Sequence, residues 1–222
     1  MRVFYYHPLC PSARLIKVLL KEKHIDVEER TERFWEKGNS FLALNPAGEL
    51  PVFVEEDSKV ICGFNAVYEY LEEAYPEQNF LGASLLESAE TRRILDWFQT
   101  KFNNEVTQKI SGEKLFKALA SMEAPISENI RIGVHNITFH LEYISWLVEH
   151  RSWLAGSEIS AADLAGGAHL SLVDYTGDVP WVDYPLAKEW YAKLKSRPSQ
   201  RCLLLDQFSA IAPASVYSDL DF

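Results

Sequence analysis

Apolar positions in the first third of the chain change period several times, and each change marks an element. Residues 2–6 (RVFYY) are a short run of β-branched and aromatic side chains that predicts a buried strand, which His7-Pro8-Leu9-Cys10-Pro11 ends. The spacing then lengthens to three and four at Ile16, Leu19 and Leu20, so a helix follows. Pro11 suits its first turn, where a missing N–H costs nothing, and Cys10 or Ser12 is placed at the helix N-terminus. Residues 27–30 predict a second strand, and the mixed aromatic and charged stretch 34–39 a loop or short helix. The N-P-A-G-E-L-P run at 45–51 is a turn-rich connection. A hairpin follows, with strands at 51–54 and 59–61 around a turn at 55–58. A helix over 65–74 closes the unit, with Ala66, Val67, Tyr70 and Leu71 on one face.

The order β-α-β-α-β-β-α predicts a mixed sheet flanked by helices. After Tyr75-Pro76 the strand pattern stops. Leu95, Phe98, Phe102 and Val106 recur at three and four residues, as do Ile130, Val134, Ile137, Leu141, Ile144 and Val148, which predicts long amphipathic helices packed on one another. Further helices are expected at 161–175, 186–196 and about 200–208. The expected division is an α/β domain over 1–76, a polar linker over 77–86, and an all-helical domain over 87–222 that ends in a tail. Ser160-x-x-Asp163 reads as a structural capping box, with hydroxyl and carboxylate each serving a backbone N–H.

Composition narrows the function classes. Of 222 residues, 47% are hydrophobic and 24% charged, which is ordinary for a folded globule. A formal net charge of -10 repels phosphate backbones and anionic head groups, so neither nucleic acid nor membrane is an expected partner. No run of ~18 apolar residues is present, and residues 1–9 lack the pattern of a secretion signal, so a cytoplasmic location is expected. Cys10, Cys62 and Cys202 are widely spaced and form no CxxC pair, which suits a reducing compartment. The six histidines form no ligand spacing with a cysteine, so no metal is expected.

Several pieces together resemble the cytosolic glutathione-transferase superfamily: the run 45–51 with its following V-x-V strand, the A-V-Y-E-Y-L helix at 66–71, and Trp153-Leu154-Ala155-Gly156 leading to Ser160-Ala161-Ala162-Asp163. The resemblance implies a thioredoxin-like α/β domain followed by an all-α domain, a homodimer, and a cis Pro51 that exposes the Leu50 backbone to a thiol ligand. Cys10 falls where the superfamily places a Tyr, Ser or Cys that works on sulfur. As an enzyme the chain would use Cys10 or Ser12 in catalysis and hold glutathione through Leu50, Pro51 and Lys37. A thiol at a helix N-terminus is favoured as thiolate, which can bring its pKa to ~3.5–7.5. The alternative is a small buried apolar residue.

The superfamily pattern E/D-S-x-A-I, aligned on Ala66-Val67, meets Gly63 and Phe64, which offer no side-chain donor or acceptor to a γ-glutamyl group. Two lost charge-assisted contacts, of order 1.5–3 kcal/mol each, lower affinity by roughly a hundred-fold or more. No cofactor is then required, and glutathione becomes an optional ligand.

Other positions resemble one branch, the FzlA-type proteins, which bind the tubulin-like division protein FtsZ. They include Arg30 with Phe34-Trp35-Glu36, Trp97-Phe98, Tyr143-Ile144-x-Trp146-Leu147, Gly177-Asp178-Val179, Lys188-x-Trp190-Tyr191-Ala192, and the ending Tyr217-x-Asp219-Leu220-Asp221-Phe222. This implies a cell-division regulator with FtsZ as partner, whose contact residues are Phe34, Trp35, Tyr217, Asp219, Asp221 and Phe222. An active glutathione or thiol transferase remains the other reading.

Overall fold

The computed structural model describes residues 1–120, 123–209 and 211–220. The chain divides into two compact units, Met1–Asn79 and Phe80–Phe222.

The first unit is built on a four-stranded sheet in the order β2-β1-β3-β4. Strand β1 (Val3–Tyr6) runs parallel to β2 (Glu28–Thr31) and antiparallel to β3 (Val52–Val54), which pairs antiparallel with β4 (Val60–Cys62). Register places Phe4 opposite Phe53, both fully buried. The edge strand β2 reads Glu-Glu-Arg-Thr and is largely exposed, a charged edge that discourages strand pairing with other chains. Helix α1 (Pro11–Glu22) makes the crossover between the parallel strands and buries Arg14 and Lys17 along with its apolar residues. Both charges are satisfied: Arg14 Nη1 donates to Pro8 O, and Lys17 Nζ donates to Tyr6 Oη and pairs with Glu29.

The aromatic stretch 34–36 is a turn, and the short helix α2 (Asn39–Leu44) comes after it, with Phe41 buried. Helix α3 (Phe64–Ala74) packs on α1. Its buried face is Val67, Tyr68, Leu71 and Glu72, one residue round from the face expected, because Tyr68 turns inward and Phe64 stacks on it at 5.8 Å.

The second unit is helical. Helix α4 (Leu85–Asp96) opens on a Ser84–Glu87 capping box and runs without a break into a π-type helix, Trp97–Phe116, and the short α5 (Lys117–Leu119). Phe98, Phe102, Val106 and Ile110 are all fully or almost fully buried. Their strict four-residue spacing is wider than the 3.6 of an α-helix, the direction in which an i→i+5 helix unwinds. Helix α6 (Ser127–His150) packs on this stretch, with Ile137, His140, Leu141, Ile144 and Leu147 inward and Val134 partly exposed.

At the centre lies α7 (Ala161–Tyr175), every residue of which is buried. Helix α8 (Pro185–Lys195) approaches it closely, since a Cβ at Gly166 would sit 2.8 Å from Trp190 and one at Gly167 2.5 Å from Leu194. Helix α9 (Pro198–Leu204) follows.

The expected cap at Ser160 is present as a capping box, and Asp163 does more than close it. Its Oδ2 accepts from the Ser160 N–H and hydroxyl, and its Oδ1 from the Leu154 N–H and Trp190 Nε1, at 2.9–3.0 Å. Burial outweighs these donors and raises the carboxyl pKa. Asp163→Ala strands buried donors at ~1–3 kcal/mol each. The variant is expected to lose roughly 3 kcal/mol or more, a fall of ~6–12 °C in thermal midpoint by circular dichroism, with Asp163→Asn between it and wild type.

Two core histidines set the acid limit. Burial pushes His169 down to about 3 and His140 down to about 4, the latter despite Glu105 beside it. Trp97 Nε1 donates to His140 Nδ1 at 3.0 Å, so the neutral ring carries its proton on Nε2, which donates to Glu105 Oε2. Both pKa values lie below the unfolded ~6.5, so the unfolded chain binds more protons and stability falls as pH drops below 6.5. Urea unfolding is expected to lose roughly 2 kcal/mol per histidine between pH 6.5 and 5, and a flat profile there would contradict the assignment.

Candidate functional site

The residues singled out in the first unit gather around the carboxyl end of β1 and the start of α1. Cys10 is the N-cap of α1, tied back by its N–H to His7 O, and its Sγ lies 3.8 Å from Leu50 O. Leu50–Pro51 is cis, and Pro51 O accepts from the Gly63 N–H at 3.1 Å. Lys37 lays its methylene stem over Gly48, where an added Cβ would meet Lys37 Cγ at 3.8 Å. Sequence order thus scatters, and the fold collects, Cys10, Leu50, Pro51 and Gly63 into one continuous line.

The electrostatics correct the thiolate expectation. The Ser12 and Ala13 N–H groups are directed at the Cys10 sulfur, as a helix N-terminus should provide, yet burial dominates and pushes the thiol up to about 11. That shift favours the protonated thiol at neutral pH, with the Leu50 carbonyl as its neighbour. Ser12 is half-buried on the same turn. Tyr6, at the end of β1, has its hydroxyl occupied by Lys17.

Gly63 caps α3 without a side chain, at φ 87°, a conformation that suits glycine. A Cβ there would meet nothing within 4 Å, so space is open but the backbone disfavours an acidic residue. Phe64 stacks on Tyr68. The α3 N-terminus therefore opens on Gly63 and Phe64, with neither an acidic nor a hydroxyl group at these two positions.

His7, which the sequence pattern did not single out, organises the rim. Trp35 stands edge-on to His7 at 4.8 Å and to Phe34 at 5.2 Å, and both aromatics are half-buried. Burial, with the Arg33 charge, pushes His7 down to about 4, so the cluster is neutral. The signal was a histidine in the turn that precedes Cys10, too common a pattern to stand out.

At the other end of the chain, the expectation that Tyr217 meets a partner does not hold. Tyr217 is 1% exposed, donates its hydroxyl to Leu203 O at 2.6 Å and stands edge-on to Tyr175 at 5.0 Å. It anchors the tail to its own unit, because a tyrosine with a satisfied hydroxyl gains more from burial than from exposure. Asp219 is exposed, and Asp221 and Phe222 lie outside the described residues. Among the described residues no group of His, Cys, Asp and Glu is placed to hold a metal ion, and no helix is long and apolar enough to cross a membrane.

The four-stranded sheet, the cis Leu50–Pro51 bond and the following helical unit define the glutathione-transferase fold. A family model for the N-terminal domain of glutathione S-transferases matches residues 9–74. FtsZ-localized protein A of Caulobacter vibrioides is 45% identical over 224 residues, covering 100% of this chain and 98% of that protein. The solved structure of FzlA from C. crescentus superposes with a TM-score of 0.95 at 45% identity, covering 100% and 99%. A structure described as a glutathione S-transferase from Rhodospirillum rubrum F11 gives 0.98 at 51%, covering both chains fully. The chain belongs to the glutathione-transferase superfamily, in the branch of FtsZ-localized protein A.

The thiol assignment is tested by alkylation. In a Cys62→Ser/Cys202→Ser background, carboxymethylation of Cys10 by iodoacetate is expected to be slow at pH 7 and to rise up to pH 10 without a plateau, followed by mass spectrometry. A rate that levels off below pH 8 would return Cys10 to the reactive class.

Proposed function

We propose that this protein is a cytoplasmic, homodimeric FtsZ-binding regulator of cell division in which glutathione chemistry is reduced or lost. The observation that carries the proposal is the end-to-end 45% identity with a protein named for its localization to FtsZ. The site supports it from the opposite direction: a thiol held protonated and an α3 that opens on Gly63 and Phe64, with no acidic residue in its first turn, are poor equipment for activating a charged tripeptide.

The surfaces supply candidate contacts. Phe34 and Trp35 form a neutral aromatic rim with charged neighbours, a composition enriched at binding hot spots. Exposed Asp219 carries acidic character to the chain end, which Asp221 and Phe222 continue in sequence. Dimerisation has a physical basis in α6, where Phe139 and Trp146 are each 52% exposed and continue through Trp97 and Tyr143 as an aromatic ladder. Large aromatics left in water at such density mark an interface.

A transferase using Cys10 or Ser12 is the second reading, favoured by the name given to the R. rubrum structure. Co-sedimentation separates the two. The protein is expected to pellet with polymerised FtsZ, and Trp35→Ala to weaken this at least ~tenfold with an unchanged circular dichroism spectrum. Failure of the wild type to pellet, together with retention on immobilised glutathione and turnover of an electrophile, would replace the regulator by the enzyme.

A further inference from the structure

The segment after α9 is docked across the end of the second unit by polar bonds as well as by aromatic packing. Tyr175 holds it at several points: its hydroxyl accepts from the Phe208 N–H and donates to Ile211 O, and its carbonyl accepts from the Ala214 N–H. Gly177, at φ 74°, lets the strap pass close, since a Cβ there would come 3.2 Å from Ala214 Cβ. Two further bonds fall where the chain leaves for its end. Lys195 Nζ donates to Val216 O at 2.8 Å, and Tyr217 Oη donates to Leu203 O.

Lys195 is an unusual choice for this task. Its side chain is 1% exposed and its ammonium faces Asp174, also 1% exposed, at 3.4 Å. Asp174 in turn accepts from Trp181 Nε1. Burial of such a pair offsets much of its attraction, so stability alone does not explain it; fixing one register among several is the better attested use of a buried polar group. Residues 212–216 are exposed or half-buried, so their own apolar contacts do little to fix the strap's position. An ammonium directed at one carbonyl rejects the slipped positions, because each would leave it without that acceptor.

We propose that the buried Asp174–Lys195 pair, with the Tyr217 hydroxyl, is a register lock for a preformed C-terminal strap, and that the lock sets where the acidic chain end is displayed to a partner. The display half rests on the function proposed above; the lock does not. Asp219, within the field of Lys195, is the first acidic residue beyond the lock. Recognition by such an end requires no folding of the tail at the moment of contact, unlike a disordered acidic tail.

The test is amide hydrogen exchange on peptides spanning 211–220 in the full chain. Lys195→Met/Asp174→Asn keeps an acceptor for Trp181 and removes the ammonium. It is expected to stay folded and to exchange at least ~tenfold faster over 212–218, while α7 remains protected. Lys195→Gln/Asp174→Asn restores a donor for Val216 and should recover protection. Should the methionine variant fail to fold, Tyr217→Phe, which removes one hydroxyl, carries the same expectation. Unchanged protection in the folded unlatched variants overturns the lock. In co-sedimentation with polymerised FtsZ, unlatched protein should bind ~tenfold more weakly. If it binds as wild type does while Asp219→Lys does not, the display role is overturned and the function stands. If wild type itself does not pellet, the function falls, and the exchange result still decides the lock.

Discussion

The carboxylate of Asp163 is the interaction on which the second unit depends. One buried group holds the start of the central helix, the loop that precedes it through the Leu154 N–H, and α8 through the Trp190 indole. A charge this deep is tolerable because four donors converge on it, and those donors are in turn satisfied only because it is there. The glycines at 166 and 167 then allow α8 to close on the same helix. Remove the carboxylate and three segments lose their common reference.

The first unit follows a different logic, in which the backbone is that of its superfamily and a few side chains set the local chemistry. The sheet register, the cis Leu50–Pro51 bond and a helix opening at Cys10 are all present. What differs is local: burial outweighs the backbone amides at Cys10, and an uncapped glycine followed by phenylalanine opens α3. Two such changes alter the chemistry on offer while the fold stays as it is, since neither position carries the core.

Much of this was legible in the sequence, and the failures have identifiable causes. The strand at 2–6, the Pro11 helix start and the capping box at 160–163 were readable because each combines a periodicity with a local stereochemical signal. The face of α3 was read one residue off, with Tyr68 rather than Tyr70 inward; in α6 Ile137, Leu141 and Ile144 lie inward as expected, joined by Gly133 and His140, which an apolar tally does not count. Cys10 shows the limit most clearly: its place at the helix start was predictable, but the sign of its pKa shift depends on burial, which only the tertiary structure supplies. Tyr217 fails for a related reason, because an aromatic near a terminus looks available until Leu203 and Tyr175 are brought beneath it. The Asp174–Lys195 pair, separated by twenty-one positions, has no local signature at all.

The anchored tail bears on how the protein should be labelled. A fluorescent or affinity tag joined after Phe222 would begin just beyond a fully enclosed tyrosine and pull directly on the latch that Lys195 and Tyr217 make, whereas Met1 is 79% exposed and precedes the first strand. Fusions placed ahead of Met1 leave that latch untouched, so imaging the two fusions side by side reports on the tail itself.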